Sequence, residues 1–335
     1  MSASMRGPFL GTLGLLAGLG TAKADGIEIL AGGELRFGVT TAGDDLLSEG
    51  QGDRGYTFFA DSELNIEADV SPSNALEIGA KAVLDVDADI DDVNADETYM
   101  FMKGGFGLVE VGRTAGAEDQ MALGADTIAA GTGGIDGDAA NLGEVKIVNS
   151  EDAAKISYFS PRAAGFQAGL SFTPDTGDDE GGTSNGSDEE VQDLEDHIGL
   201  GLNFVTTLGE IEVGLAAVGS YGNGEASDQN DLDAFSVGGT LAVDGIEVGA
   251  SYGESKGTED FDFATLGATF SFGPARAGLG YHYLDEKVDD ITHITVLSAD
   301  LIVMDGVALQ ADVSHANPKD QRSNTASVFA VELSF

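Results

Sequence analysis

The sequence is poor in residues on which many protein classes depend. Its 335 residues include no cysteine and only 6 prolines. The absence of cysteine excludes disulfide bonds, thiolate catalysis and zinc sites built on cysteine. Lysine and arginine together number 15 against 59 acidic residues, which gives a formal net charge of -44. No basic surface is therefore available for a nucleic-acid partner.

Long apolar runs are also scarce, and the one at the start of the chain has the features of a secretory signal peptide. Arg6 precedes an apolar stretch, 7–20, that is too short to span a membrane, and 22–24 reads A-K-A, a cleavage signal. We expect residues 1–24 to be removed, which leaves the mature domain 25–335 with a charge of -46 (-44 - 2). After residue 24 no run of 18 apolar residues occurs. An exported chain of this kind is either soluble or a β-barrel.

Apolar and polar residues alternate with a period of two through most of the remaining chain. From 27 to 39 the odd positions are apolar and the even positions mostly polar, and 56–70 and 76–85 repeat the pattern. The alternation continues to the end of the chain, although 106–113 and 291–303 follow it poorly and their facing stays open. The 49 glycines suit strands and tight turns better than helices.

The connections between these strands alternate in length. Seven are short, such as 104–105, and eight are long, such as 114–152, which leaves sixteen strands. Short turns at one end and long loops at the other are typical of an outer-membrane barrel, whereas a soluble β-sandwich does not sort its connections so regularly. The predicted fold is therefore all-β, a 16-stranded antiparallel transmembrane β-barrel. Its polar inward face indicates a water-filled lumen.

Three stretches also carry a family resemblance. They are 97–99 with GGFGLVEVGR (104–113), KISYFSPRAAGFQAGLSF (155–172) and the terminal VELSF (331–335). On these stretches the sequence resembles the general porins of Gram-negative bacteria, most of all those of alphaproteobacteria. The resemblance implies an outer-membrane homotrimer with short periplasmic turns, long extracellular loops and a third loop, 114–152, folded inward as a constriction. It also implies passive diffusion of small hydrophilic solutes and ions, with outer-membrane lipid and lipopolysaccharide as further partners.

The same resemblance assigns candidate pore residues. In this family, acids on the third loop face bases on the opposite wall and create a transverse field. The loop acids here are Glu118, Asp119, Asp126, Asp136, Asp138 and Glu144, followed by Glu151 and Asp152. The candidate wall bases are Arg36, Arg54, Lys81 and Arg113. Because bases are so few, we expect a field biased toward negative charge and a channel that prefers cations.

A run of alternating carboxylates is a candidate weak calcium site. It consists of Asp87, Asp89, Asp91 and Asp92. An EF-hand is excluded, because Ile90 and Asp96 stand where that loop needs Gly and Glu. A latch onto a neighbouring subunit and a plain solvated loop are the alternatives. No cofactor is required for the predicted function, and calcium would be structural.

Signals of catalysis are weak. The four histidines are far apart in the sequence, and no G-x-S-x-G, H-E-x-x-H or phosphate-loop motif occurs. His282 is the one histidine that is a candidate for catalysis, and we expect it instead to be a polar residue of the pore lining. The sequence therefore predicts a channel and no enzyme. The alternative function is a surface adhesin or structural outer-membrane barrel that does not conduct.

Overall fold

An antiparallel barrel dominates the structure, a computed structural model that describes residues 20–24, 26–41, 55–73, 76–85, 94–139, 145–177, 194–224, 230–257, 260–287, 291–319 and 323–335. A short strand, β1 (Gly20–Ala24), comes first. Sixteen longer strands follow: β2 (Ile27–Thr41), β3 (Thr57–Ser73), β4 (Leu76–Asp85), β5 (Asn94–Gly104), β6 (Gly107–Arg113), β7 (Ala154–Phe159), β8 (Phe166–Asp175), β9 (Leu194–Leu208), β10 (Ile211–Gly224), β11 (Leu232–Val243), β12 (Ile246–Lys256), β13 (Phe261–Phe272), β14 (Ala275–Glu286), β15 (Ile291–Met304), β16 (Val307–Pro318) and β17 (Asn324–Ser334).

The barrel closes because the last strand pairs with the first of the sixteen. β17 lies antiparallel to β2, with Ser327 opposite Thr41 and Ser334 opposite Glu34. The final residue completes the seam, since the backbones of Phe335 and Gly33 exchange two hydrogen bonds of 2.9 and 3.0 Å. Closure satisfies the backbone groups that an open sheet edge would leave to lipid. The predicted 16-stranded antiparallel barrel is confirmed.

The two faces of the barrel differ as the alternation predicts. Large apolar side chains cover the outer surface, where Phe58 is 64% exposed and Leu297 is 59% exposed. Along β9, Leu200 and Leu202 point outward, and the alternate residues Gly199, Gly201 and Asn203 are buried inside. An apolar exterior of this kind is the surface that a membrane-spanning barrel presents to lipid.

One of the two stretches that alternate poorly in sequence, 291–303, forms β15, and the structure explains its pattern. Its inward residues Ile294 and Val296 are fully buried, while Leu297 faces outward. The inward pair packs against Ile135 and Val145, which belong to the long connection between β6 and β7. Apolar residues therefore occur on both faces of this strand, because the inside of the barrel is partly filled by protein.

The short strand β1 falls within the predicted signal peptide. It pairs antiparallel with the start of β2, from Gly20 opposite Ala31 to Ala24 opposite Ile27. Removal of residues 1–24, which stays a prediction, would take away this pairing and leave the seam between β17 and β2 in place. Across the described ranges, no helix combines the length and apolar character needed to cross a membrane.

Candidate functional site

The connection between β6 and β7, residues 114–153, lies inside the barrel against its inner wall. We call it the inserted segment; its outbound arm is described at 114–139 and its return arm at 145–153. The outbound arm begins with the short helix α1 (Ala117–Gln120), which contacts β7–β10. A helical turn at Asp126–Ile128 then contacts β12 and β13, and another at Gly134–Asp136 contacts β14 and β15. The arm thus follows the strands in order around one side of the wall.

Glycines on the inner wall make this close approach possible. A Cβ atom on Gly238 would lie 1.9 Å from the backbone oxygen of Leu123, and one on Gly249 would lie 2.3 Å from that of Gly124. Backbone therefore rests directly on backbone, which only a residue without a side chain permits. Other wall glycines instead leave room for side chains of the segment, and these are Gly199, Gly201, Gly267 and Gly280.

Apolar side chains between the inserted segment and the wall form two clusters. In the first, Ala117, Met121 and Ile147 of the segment pack with wall residues that include Phe159 and Phe263. The second joins Ala125, Ile135 and Val145 to Ile294, Val296 and Ala316. Burial of each large side chain contributes about 1.5–3 kcal/mol. The segment is therefore held by a small core of its own inside the barrel.

Glu118 is the polar centre of the first cluster. Its side chain is 1% exposed, and its carboxylate accepts hydrogen bonds from the hydroxyls of Ser150 and Ser171, both at 2.8 Å. Ser150 also donates its backbone N–H at 3.2 Å. These bonds join the start of the segment to its end and to β8. The position differs from the pore-facing one expected from the sequence, because α1 turns this side chain toward the wall.

Charged side chains of the wall hold the outbound arm at residues 129–132. Asp312 accepts the backbone N–H of Thr132 at 2.6 Å and also bonds the hydroxyl of that residue. Asp300 accepts the backbone N–H of Gly131, and Arg276 donates to the carbonyl oxygen of Ala129 at 2.8 Å. Arg276 and Asp300 are themselves an ion pair at 3.6 Å. Specific polar contacts therefore fix this part of the arm to β14–β16.

The wall that the segment leaves open, β2–β6, carries most of the predicted bases. Arg36 pairs with Asp61, its cross-strand neighbour, and reaches Asp138 of the segment at 3.5 Å. Lys81 pairs with Glu97 at 3.3 Å. Arg113 ends β6, opposite Thr98 of β5. Arg54 lies outside the described residues. Arg36 therefore joins the open wall to a loop acid, as the sequence predicts for a wall base.

The remaining loop acids divide between those near the aqueous interior and those not described. Asp136 and Asp138 are exposed, and Asp119 and Asp126 are half-buried. Glu144 lies outside the described residues. Glu151 is exposed and Asp152 is half-buried, both at the end of the return arm. The pore-lining role of these acids stays a prediction.

One base on the inserted segment, Lys146, is absent from the site residues predicted from the sequence. Lys146 lies on the return arm, with its ammonium 3.2 Å from Asp119 and 4.0 Å from Asp136 on the outbound arm. The sequence alone could have indicated it, because Lys146 is the single lysine or arginine among residues 114–153. The two arms are thus joined by ion pairs as well as by Glu118.

Burial and neighbouring charges shift the pKa values of several segment groups. Burial raises the pKa of Asp126 to about 6, and Lys146 partly opposes this rise. Burial, assisted by the charges of Asp96 and Glu97, raises the pKa of Asp152 to about 7. The carboxylate of Asp119, followed by Asp136, raises the pKa of Lys146. Lys146 therefore stays charged at neutral pH, whereas Asp126 and Asp152 titrate close to it.

The other candidates give no second site in the described part of the chain. The acids Asp87, Asp89, Asp91 and Asp92 of the predicted calcium site lie outside it, so that site stays a prediction. His282 is fully buried on β14, within the barrel interior. His197, also buried, shares a hydrogen bond of 2.7 Å with the hydroxyl of Ser220.

Sequence comparisons connect the chain to known proteins. The sequence model of the family described as Gram-negative porin matches residues 12–321. An uncharacterised protein of Rickettsia bellii (strain RML369-C) is 23% identical over 306 residues, which cover 66% of this chain and 70% of that protein. Another from Rickettsia felis is 29% identical over 170 residues, which cover 42% of this chain and 36% of that protein.

Solved structures resemble this one over most of its length. An anion-selective porin from Comamonas acidovorans has a TM-score of 0.69 at 16% identity, covering 92% of this chain and 100% of that one. A mutant of Rh. blastica porin has a TM-score of 0.68 at 17% identity with the same coverage. OmpT of Vibrio cholerae, an outer membrane protein studied with a loop deletion, has a TM-score of 0.68 at 15% identity, covering 93% and 100%. At these identities the likeness concerns the fold.

Proposed function

The chain belongs to the Gram-negative porin family, and from this premise we propose that it passes small hydrophilic solutes by diffusion and prefers cations. Membership and fold together make it an outer-membrane porin channel and favour a channel over an enzyme. The charge preference is a further step, since the solved relative described as anion-selective has the same fold. Side chains in the bore, and not the architecture, must therefore set the preference.

The observation that carries the proposal is an excess of carboxylates on both sides of the space between the inserted segment and the open wall. On the segment, Asp119, Asp126, Asp136 and Asp138 are not fully buried. On the inner face of β2, β3 and β5 lie Glu34, Asp61, Glu63 and Glu97.

In the part of the chain that the structure describes, three bases contact these acids, and each is part of an ion pair. Arg36 contacts Asp61 and Asp138, Lys81 contacts Glu97, and Lys146 contacts Asp119 and Asp136. Each contact neutralises charge locally but leaves a net negative bore. A ring of unneutralised carboxylates concentrates cations and repels anions in a narrow pore.

Recordings from the purified protein in planar bilayers test this proposal. We expect stepwise conductance increments and, in a KCl gradient, a reversal potential that reports cation preference. A barrel that inserts but gives no steps would favour the alternative, a non-conducting adhesin or structural barrel. Steps with anion preference would leave the channel standing and contradict the proposed selectivity.

We further propose a homotrimer, exported with removal of residues 1–24 and seated among outer-membrane lipid and lipopolysaccharide. Resemblance to the porin family supports the trimer, and the cleavage pattern of the leader supports export. Chemical cross-linking in detergent tests the trimer, and the mass of the mature protein tests the removal of residues 1–24. A monomer would contradict the proposed trimer, and a mature protein that still begins at Met1 would contradict the proposed cleavage.

We also propose that the acidic run at 87–92 binds calcium weakly. Titration of the purified protein with calcium in a calorimeter tests this, and the absence of binding heat would contradict it.

A further inference from the structure

Lys146 occupies a singular position on the inserted segment. It is the one base there, against eight acids. The neighbours Val145 and Ile147 are buried toward the wall at 6% and 3% exposure, while the side chain of Lys146 is 39% exposed. Alternation along the return arm therefore turns the ammonium away from the wall, toward the aqueous space and the acids of the outbound arm.

The other interior bases are used differently. Lys155 is 4% exposed and donates to backbone carbonyls of the segment, including that of Ala153 at 2.7 Å. Arg276 donates to the carbonyl of Ala129, and Arg36 bonds both its cross-strand neighbour and Asp138 of the segment. These bases hold the segment or the wall in place. Lys146 differs in that its ion-pair partners, Asp119 and Asp136, lie on the segment itself.

We propose that Lys146 is a specificity-determining residue, whose ammonium offsets the segment acids and keeps the cation preference of the bore moderate. This inference rests on the proposed function. Removal of the charge would expose Asp119 and Asp136 to permeating ions without a counter-charge. A unit charge within about 8 Å of an ion's path, screened by water and salt, changes the ratio of cation to anion permeability by roughly threefold.

The same contacts allow a second role, as a brace between the two arms, and the two roles predict opposite results. Loss of charge alone raises cation preference and leaves the single-channel conductance near its original value. Loss of a brace lets the arms separate, widens the bore, raises conductance and weakens any charge preference. The direction of the selectivity change therefore distinguishes them.

The test measures reversal potential and conductance for four channels beside the unmodified protein. Lys146→Gln should raise the cation-to-anion permeability ratio roughly threefold, and Lys146→Arg should leave it unchanged. The double variant Asp119→Asn/Lys146→Gln restores the net charge and should return the ratio toward the original. Lys256→Gln is the matched control, since Lys256 is paired with Glu254 at 2.6 Å at the exposed end of β12.

Each outcome decides between the alternatives. An unchanged or lowered ratio for Lys146→Gln, or an equal rise for Lys256→Gln, would overturn the role of Lys146. If Lys146→Gln does not fold, an unaltered ratio in the Lys146→Met channel would overturn it equally. Absence of conductance in the unmodified protein is a separate result, which contradicts the proposed function itself.

Discussion

Two regions of the inner wall share one strand pattern and differ in the residues at their inward positions. On the covered wall, β7–β16, these positions are rich in glycine, small hydroxyl residues and buried apolar groups, as at Gly238, Ser171 and Phe263. On the open wall, β2–β6, they carry charged groups such as Arg36 and Lys81. The inward residues therefore decide which region of the wall binds the segment and which faces water. Alternation alone specifies only the barrel.

The largest expected effect comes from breaking the fit of the covered wall. In Gly238→Ala the new Cβ meets the backbone oxygen of Leu123, which cannot rotate away. We expect a loss of about 3 kcal/mol in stability, or displacement of the segment with higher conductance. Protease sensitivity of the segment and the unfolding midpoint in denaturant measure this.

The control for that variant is Gly105→Ala, in the turn between β5 and β6. A Cβ there has no neighbour within 4 Å. Equal unfolding midpoints and equal protease sensitivity in the two variants would show that the segment does not depend on close contact with the covered wall.

A smaller loss should follow from removing the buried carboxylate that links the segment to that wall. Glu118→Ala leaves the hydroxyls of Ser150 and Ser171 without their acceptor, which costs about 2 kcal/mol. Glu118→Gln keeps one acceptor oxygen and should lose less. The exposed Glu151→Ala is the comparison, and stability equal to that of Glu118→Ala would argue against an anchoring role.

The smallest of these effects concerns pH. Asp126 and Asp152 have pKa values raised to about 6 and about 7, so both gain protons as the pH falls from 8 to 5. The bore then loses nearly two negative charges, and we expect the ratio of cation to anion permeability to fall by at least roughly threefold across this interval. Reversal potentials at the two pH values measure it. The variant Asp126→Asn/Asp152→Asn should respond less, and an undiminished response would assign the effect to other groups.

The barrel was predictable because lipid outside and water or protein inside impose a period of two on each strand. The path of the inserted segment was not predictable, since inward glycines such as Gly238 are recognisable only when the register is known. The orientation of two adjacent acids was equally unpredictable, because it depends on the rotation of α1. Glu118 faces the wall, whereas Asp119 pairs with Lys146. Lys146 itself was within reach, as the single base of the segment.

The reversal potential of the unmodified channel in a KCl gradient, beside that of Asp119→Asn/Asp136→Asn/Asp138→Asn, tests most directly whether carboxylates of the segment set the charge preference. We expect cation preference in the unmodified channel and a marked reduction in the triple variant. Anion preference in the unmodified channel, or equal reversal potentials in the two channels, would contradict the claim that carboxylates of the segment set the charge preference.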